Sequence, residues 1–553
     1  MFRRQNCLGM CVFAALVFSV TAWAAPLRLV VQLTIDGLPT ELLLRHVDRL
    51  NPEGLGKIAG TGMVYTGAEI PWTTTFTAVG HAGLFTGALP AWHGIIGNEW
   101  LDRKSGEEVY CVEDPRHTTL DAPGKPHEGT SPANLLSTTI GDELIRATDG
   151  RAKVFSVSTK DRGAILPAGK FGKAFWYHKD AATMITSTYY YPESPAWLVS
   201  WRERFPISQY RHAVWTLARD PKDYDRLDLD NREVEKSPLG SIFPHDLGVL
   251  SDTQLPAELP WTPFIDEWTL ELALTILKEE QMGQDDVPDM LCVSFSGMDY
   301  VHHRYGPDSL ESEDTLYRVD ALLARLLAEL DREVGWDHLL VVLSADHGFG
   351  RAPEQVRAEG LPAERITKDL LETQLTELSD QLSRMAGSGI TARFMSPFLY
   401  LRHENGQSVH ASLREEAARI AGTWSWTAWV ATVDQLRAGG VPRDAIFERA
   451  TQSFRADRSG DVMVIARPWY IVETAETAWS ATHGSPYAYD TRVPMVFAGP
   501  GIAAGWVSRP VSPLDIAATL AACLNITPPP ACSGTPLPEI VDGLTDTETR
   551  VRR

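Results

Sequence analysis

The chain has 553 residues, 44% of them hydrophobic and 22% charged, with a formal net charge of −21. That composition supports a large folded core and excludes a disordered chain. A surface this acidic repels nucleic acid at long range, so none is expected as a stable partner. A phosphate-bearing substrate would need local positive charge, which metal ions can supply.

The N-terminus reads as a signal peptide over residues 1–25. Arg3 and Arg4 form a basic start, an apolar run from Leu8 to Val20 follows, and Ala22-Trp23-Ala24 offers a small-x-small cleavage site. The run is short for a membrane span, no Cys stands at the cleavage point, and no second apolar span follows, so no stable membrane anchor is expected. The expected location is periplasmic or secreted. Cys111, Cys292, Cys523 and Cys532 remain after cleavage, without the paired short spacing of a zinc-thiolate site. Cys523 and Cys532 could pair in an oxidising compartment, whereas Cys292 lies in an apolar strand and reads as a buried thiol.

Apolar, β-rich runs at Leu27–Ile35 and Lys153–Ser158 predict the first two buried parallel strands. A stretch at about 165–260, rich in Trp, Tyr and Phe, breaks the rhythm and reads as an insertion. Helical spacing over Asp266–Glu280 precedes a third strand, Met290–Phe295; a helix over Leu316–Leu330 precedes a fourth, Leu339–Ser344. A second insertion of polar helices and turns covers about 355–480, and Val493–Ala498 is the last strand. Ser512-Pro513 before Leu514–Leu524 gives an N-cap with Pro at the first helical position. Alternating strands and helices predict an α/β fold, a doubly wound, mostly parallel sheet flanked by helices. Residues 26–553 form one catalytic domain in this reading, and the two insertions cap its site. The tail after Ser533 is polar and its end is expected to be loose.

In an open parallel sheet, ligands bind outside the carboxyl ends of the strands. The first strand ends in Asp36-Gly37. The third ends in Ser296-Gly297-Met298-Asp299, followed by His303; the fourth ends in Asp346-His347-Gly348; His483-Gly484 precedes the last. Three Asp and three His at one edge are costly as bare charges, and metal ions relieve that cost. Asp299 and His303, four apart, share a face if the segment turns helically, and this spacing selects His303 over His302. Each residue alone has a plainer role in a turn or cap; the combination at strand ends is what is specific. A hydroxyl-rich loop, Trp72-Thr73-Thr74-Thr75-Phe76-Thr77-Ala78-Val79-Gly80-His81, adds candidate nucleophiles, since a metal-bound hydroxyl loses its proton more easily. Most of those threonines are expected to serve turns or helix caps.

These pieces in this order resemble the alkaline phosphatase superfamily. They look most like its branch of secreted bacterial phosphatases with a Thr nucleophile, related to the type I phosphodiesterases and nucleotide pyrophosphatases. The resemblance runs from about Val30 to Asn525 and is carried by Thr-Ala-Val-Gly-His at 77–81, His-Gly-Ile-Ile-Gly-Asn-Glu-Trp at 93–100, Ser-Ala-Asp-His-Gly at 344–348 and His-Gly-Ser-Pro-Tyr at 483–487. It implies two Zn²⁺ ions. Asp299, His303 and His483 would bind one; Asp36, Asp346 and His347 would bind the other, which also contacts Thr77. It places the nucleophile at Thr77 among four nearby threonines and makes Asn98 a donor to a phosphate oxygen. His81 and His93 are assigned to stabilising the loop and helix entry.

Lys160 and Arg162, just past the second strand, resemble the pair that marks the monoesterase branch. A monoester dianion carries one more non-bridging oxygen and more charge than a diester, and a Lys with a fork-shaped Arg can meet both. The expected activity is therefore hydrolysis of small phosphate monoesters through a phosphothreonine, favoured at high pH; the alternative is a phosphodiesterase or nucleotide pyrophosphatase on the same scaffold. A metal-binding protein without catalysis would be expected to lack a ligand or Thr77, and none is missing. The aromatics Phe175, Trp176, Tyr177, Tyr189, Tyr190, Tyr191 and Trp197 are expected to form a small core before any role in stacking on substrate. The sequence is silent on oligomeric state.

Overall fold

The computed structural model describes residues 26–125, 127–438, 444–474 and 479–542. The expected signal peptide at 1–25 lies outside the described residues. No helix among those described is long and apolar enough to cross a membrane.

A nine-stranded sheet forms the centre. Its strands, in chain order, are β1 (Leu29–Ile35), β2 (Met63–Tyr65), β3 (Val154–Ser158), β4 (Lys173–His178), β5 (Thr183–Ile185), β6 (Asp289–Phe295), β7 (Leu339–Ser344), β8 (Met495–Ala498) and β9 (Gly505–Val507). They lie in the order β9-β2-β8-β7-β1-β6-β3-β4-β5. β7, β1, β6, β3 and β4 run parallel to their neighbours within this block, and β5 turns back antiparallel at the edge. All seven residues of β1 are buried, as a central parallel strand covered on both faces requires. Leu29, Val31, Leu33 and Ile35 join the larger core and Val30 the other, so alternate side chains feed two layers.

Helices cover both faces. Leu310–Glu333 buries Leu316, Val319, Leu323, Leu326, Leu327 and Leu330 in the larger layer, at helical spacing. Each such leucine contributes about 1.5–3 kcal/mol relative to exposure. This helix starts six residues before the stretch read as Leu316–Leu330, because the Ser309 side chain accepts the Ser312 N–H and caps it. Its first turns bury Glu311, Glu313 and Asp314, which hid them from an apolar pattern. Phe264–Glu279 matches its expected span within two residues. On the opposite face Asp515–Cys523 buries Ile516 and Leu520. Here Ser512 does not cap the helix; its Oγ accepts the Leu514 N–H in a turn, and the helix begins at Asp515.

The last expected strand is present but antiparallel to β7. An apolar run reports burial and not direction, and Pro494, which has no N–H, leaves β8 to start at Met495. Residues 173–185, inside the stretch set apart as the first insertion, form the edge strands β4 and β5. Phe175 and Trp176 are buried there, and Phe175 lies parallel to Phe155 at 6.4 Å, so these rings belong to the main core of the central sheet and not to a small core of their own. The stretch read as the second insertion holds a four-stranded antiparallel sheet, Ile390–Met395, Phe398–His403, Thr427–Thr432 and Val462–Ala466, with a separate apolar core. Cys111 and Cys292 are buried, and Cys523 and Cys532 stand free, not bridged. In the tail, Leu537 and Ile540 are buried against the core; residues 543–553 lie outside the described residues.

Candidate active site

The four parallel strands β7, β1, β6 and β3 end level with one another: Thr34 pairs with Ser344, Ile35 with Phe295, and Ser294 with Ser158. The residues just beyond therefore converge on one edge. They are Asp346 and His347, Asp36, Asp299 and His303, and Lys160 and Arg162. Gly37 makes the first turn possible: its φ is +72°, and a Cβ there would stand 3.2 Å from the Asp299 Cβ. Its N–H donates to Asp346 Oδ1 at 3.2 Å. The helix Gly297–Tyr305 carries Asp299 and His303, and the buried Asp266 accepts its Gly297 N–H at 3.0 Å. His483 arrives on a loop pinned by Asp490, whose Oδ2 accepts the Ser485 N–H and hydroxyl at 2.8 and 2.6 Å.

The six residues form two sets, Asp299–His303–His483 and Asp36–Asp346–His347, each with ligand atoms within 4.8 Å of one another. Within the first, His303 Nε2 and His483 Nε2 lie 3.6 and 3.5 Å from Asp299 Oδ1. Within the second, His347 Nε2 lies 3.4 Å from Asp36 and 3.5 Å from Asp346. Each imidazole places Nδ1 against a backbone carbonyl: His303 on Ala481, His483 on Thr75 and His347 on Gly348, at 3.1, 2.7 and 2.8 Å. Nδ1 must then carry the proton, which leaves Nε2 a bare lone pair facing the carboxylates, the tautomer a metal needs.

Asp36 Oδ1, Asp299 Oδ1 and Asp346 Oδ2 are buried and accept no hydrogen bond, and Asp36 Oδ2 meets only the Lys160 ammonium. Burial, then repulsion from Asp346, pushes the Asp36 carboxyl well above its ordinary range, and burial lifts Asp346 to about 7. Burial also raises Asp299, but the Lys160 ammonium and the neighbouring histidines outweigh it and hold Asp299 well below that range. Three buried carboxylates with one ammonium fit a pair of divalent cations. Two other acidic and histidine groups come within the same reach, His46–Asp225–Glu313 and Glu128–His178–Asp180. Their acceptors are already engaged: Glu313 takes the Asp225 and Arg226 N–H groups, Asp180 pairs with Lys125, and Glu128 with His178.

Thr77 opens the helix Thr77–Thr86, which is buried throughout. Its Oγ1 lies 3.3 Å from Lys160 Nζ and 3.4 Å from His347 Nε2. Its neighbours face elsewhere. Thr73 bonds to Ser453, Thr75 donates to the Ser485 carbonyl, and the Thr74 hydroxyl is buried without a partner. Gly80 lets the helix press against the second set, since a Cβ there would sit 2.1 Å from the Asp346 carbonyl oxygen.

Lys160 spans the two sets, 2.7 Å from Asp36 and 2.5 Å from Asp299, with its ammonium 5.3 Å over the Tyr300 ring. Asn98 Oδ1 accepts the Ala78 N–H at 3.0 Å, which turns the amide N–H₂ away from that bond and leaves it free to donate. Arg162 meets the Tyr110 hydroxyl at 3.3 Å and lies 3.9 Å from Asp161, while its Nε is buried without a partner. A cavity of about 740 Å³ opens beside Lys160 and Arg162, walled by Tyr300, Trp261 and Arg304.

The structure thus brings together all ten residues singled out in the sequence. His302 turns to Ser312 and is not part of either set, and His93 accepts the Ile95 N–H in its loop. His81 lies closer to the site than its assignment to the helix entry implied, 3.7 Å from Asp346 Oδ2. Tyr110, Asp161, Tyr300 and Asp266 were missed; Tyr300, next to Asp299, and Asp161, between Lys160 and Arg162, had a signal to find them by.

A doubly wound sheet whose central strand ends deliver two ligand sets astride a buried threonine defines the alkaline phosphatase-like fold. The family profile described as type I phosphodiesterase / nucleotide pyrophosphatase matches residues 30–486, and the chain belongs to that family. Alkaline phosphatase PafA of Elizabethkingia meningoseptica is 32% identical over 97% of this chain and 98% of its own. Alkaline phosphatase PhoV of Synechococcus elongatus is 31% identical over 92% of each. The crystal structure of wild-type PafA superposes with a TM-score of 0.84 at 30% identity, covering 94% of this chain and all of that one. A solved PafA variant replaces a threonine, an asparagine, a lysine and an arginine, spaced along its chain as Thr77, Asn98, Lys160 and Arg162 are here.

Proposed function

We propose that this protein is an alkaline phosphatase, a hydrolase of small phosphate monoesters that works through a phosphothreonine at Thr77 and carries two zinc ions. The observation that carries the reading is Lys160, which touches Thr77 and both ligand sets, with Arg162 two residues on. These are the cations a monoester dianion needs beyond what a diester needs. Its relatives named alkaline phosphatases, and the PafA variant altered at a matching quartet, support the same reading.

Asp299, His303 and His483 would hold one ion, and Asp36, Asp346 and His347 the other. Divalent ions there would supply Lewis-acid charge and ease deprotonation of a bound hydroxyl. Thr77 Oγ1 attacks phosphorus in line with the leaving oxygen, forming the Oγ–P bond as the ester P–O bond breaks. Its alkoxide gains from the N-terminal end of its helix and from Lys160. Asn98, Lys160 and Arg162 hold the equatorial oxygens, where transition-state charge lies. Water then cleaves the Oγ–P bond, releasing phosphate and restoring the Thr77 hydroxyl. The leader read at residues 1–25 puts this activity in the periplasm or outside the cell.

The family also holds phosphodiesterases. Rates on an aryl phosphate and on a bis-aryl phosphate, for the protein and its Lys160→Ala/Arg162→Ala variant, separate the two readings. Monoester preference that collapses in the variant is expected. Diester preference indifferent to both substitutions would sink the proposal.

A further inference from the structure

We infer that the hairpin Glu99–Tyr110 is a positioning element that ties Asn98 and Arg162 into one phosphate-holding unit, with the Tyr110 hydroxyl aiming Arg162. The inference rests on the monoesterase reading above.

The strands Glu99–Leu101 and Glu108–Tyr110 pair antiparallel, with Glu99 opposite Tyr110. One more rung follows toward the site, where the Cys111 N–H donates to the Asn98 carbonyl at 2.9 Å. Asn98 and Tyr110 are therefore fixed to each other by the ladder. The Tyr110 hydroxyl donates to Asp161 Oδ1 at 2.5 Å, which points its lone pairs at Arg162 Nη1, 3.3 Å away. Enclosure pushes the phenol well above its ordinary pKa, so it stays a neutral acceptor. Asp161 is held in turn by the Arg162 and Gly129 N–H groups, at 2.7 and 3.2 Å. These contacts use one edge of the guanidinium. The Tyr110 and Asp161 contacts both fall on Nη1, so the Nη2 side of the guanidinium is left for an anion.

The hairpin is held at its far end as well. Arg103 makes two bonds to Asp461 of the second insertion, at 2.8 and 3.1 Å, and Arg402 Nη2 donates to the Lys104 carbonyl at 2.8 Å. A long arginine side chain loses rotamer freedom when it is immobilised, so an Arg fixed before substrate arrives costs less to use.

Kinetics of Tyr110→Phe, Arg162→Ala and the double variant, on an aryl monoester and a bis-aryl diester, decide the matter. Tyr110→Phe keeps the ring and its packing. Expected is a loss on the order of tenfold in monoester kcat/KM, a smaller change on the diester, and no added loss where Arg162 is already Ala. Additive losses, or equal losses on both esters, would overturn the inference while leaving the monoesterase reading intact. If Arg162→Ala itself spares monoester turnover, the functional reading falls, and this inference falls with it.

Discussion

The imidazoles of His347 and His483 lie face to face, 3.5 Å between centroids and 11° from parallel, although they belong to different ligand sets. The two sets thus share a wall of stacked rings, with Lys160 crossing between their aspartates. Charges placed in either set are felt in the other, and Thr77, beside His347, opens onto that junction.

Thr77→Ala should abolish turnover, by a factor of about 10³ or more, since the covalent step loses its nucleophile. The Asp and His members of both sets remain, so the protein should still bind two ions, with at most a modest weakening in the second set, which loses the Thr77 contact. Thr77→Ser should retain measurable activity. Trapping of a phosphorylated protein after acid quench, present in the parent chain and absent in Thr77→Ala, is the measurement.

Replacing both Lys160 and Arg162 by Ala removes two charge-assisted contacts of about 1.5–3 kcal/mol each. Inorganic phosphate, which presents the same oxygens as the substrate, should inhibit competitively with a constant weaker by roughly 10²- to 10⁴-fold. Unchanged inhibition would mean that neither side chain meets the anion.

The pH dependence follows from carboxyls raised by burial. A raised acid is protonated in the folded chain at pH values where it is already ionised in the unfolded one. The contribution of Asp36 and Asp346 to the stability of metal-free protein should therefore fall as pH rises from about 4 to about 7, where Asp346 ionises, while the buried His303, His347 and His483, held below the usual imidazole range, contribute with the opposite sign. Metal binding needs these carboxylates ionised, so the rise in melting temperature on adding zinc to chelated protein should be small near pH 5 and large near pH 8. A zinc-induced shift that does not grow across that range would contradict the assignment of Asp36 and Asp346 as ligands.

Gly80→Ala should be among the most damaging single-atom additions in the chain. Its Cβ would stand 2.1 Å from the Asp346 carbonyl oxygen, and that neighbour is backbone, not a flexible side chain. The helix must shift, moving Thr77 away from the second set. We expect a loss of about 1–3 kcal/mol in stability and a fall in kcat greater than the fall in zinc content, read by calorimetry and metal analysis on one sample.

The candidate ligand positions were legible because a buried parallel strand announces itself as an apolar run and the first charged residue past its end falls at the site. Asp36 and Asp346 stood out in this way only together with the other strand-end residues. The direction of β8 was not legible, because antiparallel and parallel strands bury the same residues. Nor were β4 and β5, whose aromatic content resembled an insertion more than a sheet edge. Thr77 could be told from Thr73, Thr74 and Thr75 only by resemblance; in the structure Thr73 and Thr75 spend their hydroxyls on Ser453 and Ser485, the Thr74 hydroxyl is buried without a partner, and Thr77 Oγ1 lies beside Lys160 and His347. Tyr110 escaped notice because a contact between a hairpin and a distant strand end leaves no periodic trace.

The candidate ligands begin at Asp36 and end at His483, and β8, which lies against β7, comes later still. Neither set has its three members until most of the chain has been made: Asp36 waits for Asp346, and Asp299 and His303 wait for His483. β1 likewise has to wait for β6 and β7 before it has neighbours on either side. Long-range pairing of this kind makes for slow folding. Ion capture at the candidate sets would therefore be a closing event in the life of the polypeptide: a chain cut short before Asp346 could complete neither set, and one cut between His347 and His483 only the second, however well its early strands had formed.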